Sequence, residues 1–258
     1  MRIEGRSAIV TGAASGIGRA TALRLAGRGA ARVVLVDLNE DGLAATADEV
    51  EAGGAIAQTH RLDLSDLAAT ADWFGSLADR GVPDIVHNNA GIVSGAASFP
   101  EMPVDRLARV VDVNLTSLIV ATQAAAQAMR AIGGGVIVNT VSTVVLGGGF
   151  PDAMYAATKA GVMMFTRCCA PLKAAWNVRV AGVLPGLTDT PILHTTGGDR
   201  AADWMAPILS GHERCNPDDI AAAVIDLVED DALAGGDWVA VRRAGGQVTR
   251  QWGHDTPV

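Results

Sequence analysis

Aromatic side chains are scarce in this chain, at 4% of 258 residues, so its interior has to be built from Ala, Val, Leu and Ile within an apolar content of 49%. Cysteine is scarce too. Three residues, the adjacent Cys168 and Cys169 and a distant Cys215, make an odd count that argues against a disulfide framework. No Cys/His spacing matches a zinc site, so no metal is expected and a reducing, cytoplasmic compartment is the expectation. Positive charge is the minority: 20 Lys and Arg against 28 Asp and Glu give a net charge of −8. That balance leaves no electrostatic footprint for nucleic acid or for an anionic membrane. No apolar run reaches the ~18 residues needed to cross a bilayer. The N-terminal residues pass directly into the strand-like Ser7-Ala8-Ile9-Val10 without a signal-peptide pattern. Low-complexity segments are absent as well, since the 30 glycines are spread along the whole chain.

Scarcity makes one pair conspicuous. Tyrosine occurs once, as Tyr155, and lysine twice, as Lys159 and Lys173. Four residues is about one helical turn, so Tyr155 and Lys159 share a helix face. A phenol beside an ammonium is expected to have its pKa drawn down from about 10 and to exchange a proton with an alcohol or ketone. The plainer alternative is an exposed aromatic–lysine pair with no chemistry.

Short β-branched runs alternate with longer helical patterns along the entire chain. Strands are expected at Ala8–Thr11, Val33–Asp37, Ile56–Leu62, Ile85–Asn88, Val136–Val141 and Val178–Leu184, with a weaker one at Val239–Val241. Helices are expected at Ile17–Arg28, Glu40–Ala52, Leu67–Arg80, Val104–Ile132, Ala153–Lys173 and Asp218–Glu229. The strands are almost continuously apolar, as in a sheet covered on both faces. The alternation predicts a parallel α/β sheet in a single domain, residues 1–258. Asn114 lies on the apolar stripe of Leu107, Val110, Val111, Leu115 and Leu118. A buried amide there needs partners, because an unpaired one costs about 1–3 kcal/mol. Pro171 is expected to kink or stop its helix.

The first strand runs into Thr11-Gly12-Ala13-Ala14-Ser15-Gly16-Ile17-Gly18 and then at once into a helix. Such a glycine-rich turn lets backbone approach a pyrophosphate at a helix N-terminus. Asp37 ends the second strand, nineteen residues after Gly18. A carboxylate there is placed to accept hydrogen bonds from adenosine ribose hydroxyls and to repel a 2′-phosphate, and Leu38 supplies no offsetting cation, which favours NAD over NADP. The alternative for Asp37 is a cap on the next helix.

With these residues in place, the chain resembles the short-chain dehydrogenase/reductase family, in its short single-domain branch, over nearly its full length. The glycine turn has the branch's T-G-x-x-x-G-x-G spacing. Asp63-Leu64 is similar to its adenine-pocket pair, and Asn88-Asn89-Ala90-Gly91 to its N-N-A-G motif. Asn114 falls at its catalytic asparagine, and Ser142 precedes Tyr155 by the usual thirteen residues. Pro185-Gly186-Leu187-Thr188-Asp189-Thr190 is similar to its nicotinamide-amide segment.

The resemblance implies a Rossmann-like, doubly wound, seven-stranded parallel sheet of order 3-2-1-4-5-6-7 with helices on both faces. It implies Tyr155 as general acid/base, with Ser142 polarising the substrate oxygen and Thr143 as a stand-in that the spacing disfavours. Lys159 would lower the Tyr155 pKa and hold the nicotinamide ribose, and Asn114 would keep a proton-relay water. Asn88 would brace the sheet. Gly12, Ser15, Gly16, Ile17, Gly18, Asp37, Leu38, Asp63, Leu64, Asn89, Ala90, Gly91, Tyr155, Lys159, Pro185, Gly186, Thr188 and Thr190 would bind the cofactor, NAD. A homo-oligomer, dimer or tetramer, is also implied. The sequence departs from the pattern at Ala181, at Ala244-Gly245-Gly246 after Arg242-Arg243, and at Pro171.

A segment at about 187–215, with Ile192, Leu193, Trp204, Met205, Ile208 and Leu209, is strongly apolar, as are Val144, Val145, Leu146 and Phe150. These residues read either as the wall of a pocket for a hydrophobic secondary alcohol or ketone or as the underside of a lid helix packed on the core. Gly147–Gly149 and Gly197-Gly198 read as hinges or as plain turns. The competing functions are a catalytically silent dinucleotide-binding redox sensor, and an isomerase or dehydratase that keeps its cofactor bound. The glycine spacing and the short C-terminal region argue against the last.

Overall fold

The computed structural model describes residues 1–95 and 99–254. The chain begins with strand β1 (Ser7–Thr11), helix α1 (Gly16–Gly27), β2 (Arg32–Asp37), α2 (Glu40–Ala52), β3 (Ile56–Arg61), α3 (Leu67–Gly75), α4 (Leu77–Arg80) and β4 (Ile85–Asn88). It continues through α5 (Val104–Val111), a π-helical turn (Asp112–Thr116), α6 (Ser117–Ala131), β5 (Gly135–Thr140), α7 (Ala153–Cys168) and α8 (Pro171–Trp176). The last elements are β6 (Val178–Pro185), α9 (Met205–Gly211), α10 (Pro217–Glu229), β7 (Trp238–Ala244) and β8 (Gln247–Gly253). The strands form one sheet of order β3-β2-β1-β4-β5-β6-β7-β8. The first seven are parallel and β8 is antiparallel to β7. This is the expected doubly wound order with one strand added at the edge.

Residues of one strand point alternately to the two faces, and the core divides accordingly. Ala8, Val10, Val33, Leu35, Val136, Val138 and Ala181 pack under α1, α2 and α10, against Leu25, Leu43, Val50, Ile220 and Val224. Ile9, Val36, Val86, Ile137 and Val180 pack on the other face against Trp73, Phe74, Ala125 and Met129 of α3 and α6. A third cluster joins Leu118, Val162 and Leu184 beneath α7. Small aliphatic side chains thus do the filling that scarce aromatics cannot.

Several elements differ in detail from the sequence reading. The expected 67–80 helix breaks at Ser76, whose hydroxyl donates to Trp73 O (2.8 Å). The 104–132 helix contains the π turn around Asn114. The expected 153–173 helix stops at Cys168, one of the two outcomes expected near Pro171, and the proline then opens α8 at a position where its missing N–H costs nothing. Ala181 is fully buried under α10. Ala244 ends β7, and Gly245 (φ 59°) and Gly246 (φ 74°) make the two-residue hairpin to β8. Among the described residues no helix is long and apolar enough to cross a membrane, and no group of three or more His, Cys, Asp or Glu side chains is placed to hold a metal ion.

Candidate active site

The carboxyl ends of the parallel strands open into a cleft of ≈ 800 Å³, where ligands bind in sheets of this topology. Every site residue expected from the sequence lines it except Gly18 and Asn114, which stand just behind.

At one end β1 hands over to α1. Gly12 has φ 66°, and a Cβ there would fall 2.8 Å from Asn89 Nδ2; a Cβ on Gly18 would fall 2.1 Å from Gly12 O. The turn is therefore closed to any side chain on its inner side. Ser15 occupies the N-cap of α1 without a side-chain cap bond, and the first turn carries no acidic residue. Backbone amides and a positive helix end thus face the cleft, which is the donor set a pyrophosphate needs. Gly18→Ala is expected to reduce dinucleotide affinity at least about tenfold and to cost about 1–3 kcal/mol, because the crowded carbonyl of Gly12 is backbone and must move. Titration with reduced dinucleotide and thermal unfolding measure both, and unchanged affinity would remove the turn from the site.

Asp37 accepts from Ala14 N–H (3.1 Å) and Asn39 N–H (3.0 Å), which fixes its carboxylate at the rim. The cap of α2 is Asn39, which accepts from Gly42 N–H, so capping does not explain Asp37. Asp63 accepts from the Ser65 N–H and hydroxyl (2.9 and 2.7 Å) and meets Arg109 at 3.5 Å. Its pKa lies below the usual carboxylate value: burial pushes it up, and the Ser65 and Arg109 interactions outweigh that. Arg109 also lines the cleft, and nothing in the sequence had singled it out.

Asn88 braces the sheet through Asn139 Oδ1 and Thr122 Oγ1 (both 3.0 Å). Asn89 faces the glycine turn and donates to Thr11 O (3.1 Å) and Gly12 O (3.3 Å). Asn114 is fully buried. Its Oδ1 accepts from Ile92 N–H (2.8 Å), and its Nδ2 donates to Ile92 O (2.8 Å) and Thr158 Oγ1 (3.1 Å). The π turn directs this amide at the segment after β4, so one side chain satisfies both backbone groups of Ile92. The buried His87 holds Thr140 Oγ1 at 2.9 Å, and burial pulls its pKa down to about 3, leaving a neutral ring.

Ser142, Tyr155 and Lys159 meet at the centre. Ser142 follows β5, lines the cleft beside Tyr155 and acts on the Tyr155 hydroxyl in the direction that lowers its pKa; Thr143 also lines the cleft. Lys159 Nζ is buried, donates to Thr140 O (2.9 Å) and lies 5.7 Å from the Tyr155 ring centroid. Burial lowers the Lys159 pKa to about 8. Tyr155 does not follow the sequence expectation in this structure. Burial, the strongest influence, raises its pKa to about 12; Ser142 opposes this, and the Asp152 charge adds to it. One Lys159 N–H goes to the Thr140 carbonyl, and Lys159 is not among the influences on the Tyr155 pKa.

Pro185, Gly186, Thr188 and Thr190 form the facing wall, where Thr188 Oγ1 donates to Gly186 O (2.9 Å). Of the apolar candidates, Val144, Phe150, Ile192, Leu193, Met205 and Ile208 line the cleft. Val145 instead packs on the core, and Trp204 stands behind Phe150 in an edge-on contact at 5.5 Å. Pocket wall and packed underside are thus both present. Gly147–Gly149 line the cleft, whereas Gly197 closes a local turn by donating to Arg200 O (2.8 Å).

Residues 6–201 match the family model described as short chain dehydrogenase. Cis-4-hydroxycyclohexanecarboxylate dehydrogenase of Sinomonas cyclohexanicum is 38% identical over 88% of this chain and 90% of its own. The 2-dehydro-3-deoxy-L-rhamnonate dehydrogenase (NAD(+)) of a Sphingomonas species is 39% identical over 74% of this chain and 76% of its own. Among solved structures, a putative NAD(P) dependent gluconate 5-dehydrogenase from Beutenbergia cavernae, with NADP bound at low occupancy, superposes with a TM-score of 0.80. It is 34% identical, with 90% of this chain and 93% of that one covered.

Proposed function

Because the chain belongs to the short-chain dehydrogenase family, an oxidoreductase family that binds a nicotinamide dinucleotide and acts on CH–OH groups, we propose that it interconverts an apolar secondary alcohol and its ketone with NAD. The observation that carries this reading is the meeting of Ser142, Tyr155 and Lys159 in one cleft with the glycine turn.

The residues present fit a dinucleotide. The Gly12–Gly18 turn and the α1 N-terminus would take the pyrophosphate, Asp37 the adenosine ribose, Asp63 and Leu64 the adenine, and Asn89 to Gly91 the middle of the molecule. Lys159 would take the second ribose, and Pro185, Gly186, Thr188 and Thr190 the carboxamide. When bound, the dinucleotide supplies the hydride acceptor or donor. Tyr155 Oη then takes the proton from the alcohol, or returns it to the ketone oxygen. Ser142 Oγ donates to that oxygen as charge develops on it. Asn114 holds Ile92, and with it the segment that faces Lys159. The apolar wall from Val144 to Ile208 supports a substrate without charge beside its carbinol carbon.

Turnover measured with NAD and NADP in parallel, against secondary alcohols and ketones graded in size and polarity, tests the proposal. Preference for NAD and for a bulky apolar alcohol is the expected result. Tight dinucleotide binding without turnover on any member would leave a redox sensor. Asp37→Ala is expected to shrink the preference for NAD over NADP by about 100-fold, since like charges brought together cost several kcal/mol; an unchanged ratio would show that Asp37 only shapes the turn. We also expect a cytoplasmic homo-oligomer, dimer or tetramer, which sedimentation would show.

A further inference from the structure

The segment that leaves β4 borders the cleft at Gly91, Ile92 and Val93, and three side chains from elsewhere in the chain hold its backbone. Asn114 takes both groups of Ile92. Arg106 donates to Val93 O and Ser94 O (both 2.8 Å). Asp152 accepts from Ser94 N–H (2.8 Å) and Ser94 Oγ (2.5 Å). Asp152 also caps α7, and the amide it accepts there is that of Tyr155 (3.0 Å).

A plain helix cap would not need this arrangement. Asp152 is 4% exposed and Ser94 3%, and both carboxylate oxygens are engaged, by three donors. An asparagine would present an N–H to one of those donors, and a serine could not span them. Burying a carboxylate costs several kcal/mol before compensation, and an exposed Ser, Thr or Asn would cap the helix without that cost. The carboxylate makes one set of bonds that those caps cannot: it accepts from both donors of Ser94 and from the backbone of Tyr155 together.

We propose that Asp152 is a positioning residue for the reaction, tying the Tyr155 turn of α7 to the loop after β4 so that the phenol and the cofactor-facing wall keep one spacing. This rests on the role given to Tyr155 above. Asp152 lies outside the cleft lining and touches no reacting atom. Its charge also acts on the phenol, in the direction that keeps the proton on.

The test compares Asp152→Asn, which keeps the shape and an acceptor for Tyr155, with Ser94→Ala, which leaves the cap intact and removes one strut. Turnover, the pH profile of alcohol oxidation, dissociation constants for reduced dinucleotide and melting temperature are measured on each. Asp152→Asn is expected to lower kcat by about 10- to 100-fold, as misplacement of a reacting group does. Its dinucleotide affinity should change little, and its alkaline limb should move to lower pH as the charge beside the phenol is lost. Ser94→Ala is expected to lower kcat less, at unchanged affinity and an unmoved pH limb. A folded Asp152→Asn with wild-type kcat and pH profile would overturn the proposal, as would a fall in affinity matching the fall in kcat. If Asp152→Asn does not fold, wild-type kcat in Ser94→Ala overturns it. An active Tyr155→Phe would instead bring down the underlying reading, so the two failures are distinguishable.

Discussion

Tyr155→Phe should lower kcat by about 10³-fold while dinucleotide affinity stays near that of the wild type. The phenyl ring keeps its place beside Phe150, at 6.0 Å between centroids, and over Lys159, so the helix and its cap have no reason to shift. Only the hydroxyl goes. Ser142 retains a donor for the substrate oxygen but has no route by which to take up the proton. The glycine turn and Asp37 lie at the other end of the cleft and are untouched. Wild-type pH dependence should differ between the two directions. Burial holds the Tyr155 pKa at about 12, so the fraction ionised rises about tenfold per pH unit below that value. Alcohol oxidation, which needs the basic form, should therefore climb through the alkaline range. Ketone reduction, which uses the phenol, should stay level around neutrality. Turnover in Tyr155→Phe within a few-fold of wild type would end the general acid/base role, and a level oxidation profile would show that the bound state lowers this pKa.

The strands were legible because a sheet covered on both faces demands runs such as Val33–Asp37 and Val178–Leu184, in which every position is a candidate for burial. The cradle was legible because Gly12 and Gly18 answer to backbone geometry that no other residue tolerates, so the requirement is written locally. Strand β8 escaped for the opposite reason. Its sequence, Gln247 to Gly253, is mostly exposed, and a polar edge strand has no hydrophobic signature. Gly245-Gly246 between Ala244 and Gln247 was the available hint of a two-residue hairpin.

Residues that act through distant partners left no trace. Asp152 meets Ser94 fifty-eight positions away, and Arg109 meets Asp63 forty-six away. Each is an ordinary charged residue in its own neighbourhood. Asn114 shows the boundary: its presence on an apolar stripe marked it, but the π turn that aims it answers to Ile92, 22 positions earlier. The direction of the Tyr155 shift failed for the same reason, since helical spacing fixes the Tyr155–Lys159 distance but not the burial that decides the sign.

Lys159→Met should gain stability and lose activity together. Lys159 is 3% exposed, and burial pulls its pKa from 10.5 to about 8. Between those two values the unfolded chain holds a proton that the native protein has released, so this group's contribution to stability rises with pH across that window. Below about pH 8 the ammonium is charged in both states, and the native state carries the whole cost of burying it, on the order of 3 kcal/mol. Methionine fills much the same space without the charge. Against this, Thr140 C=O loses the donor that holds it at 2.9 Å, a loss of about 1 kcal/mol. A net gain of about 2 kcal/mol corresponds to a rise of roughly 4–8 °C in melting temperature for a chain of this size. The gain should shrink when dinucleotide is added, because a ligand that uses the ammonium stabilises the wild type more than the variant. Dinucleotide affinity and kcat should fall together, and a melting temperature that drops while affinity holds would mean that Lys159 is a structural pin and not a costly functional charge.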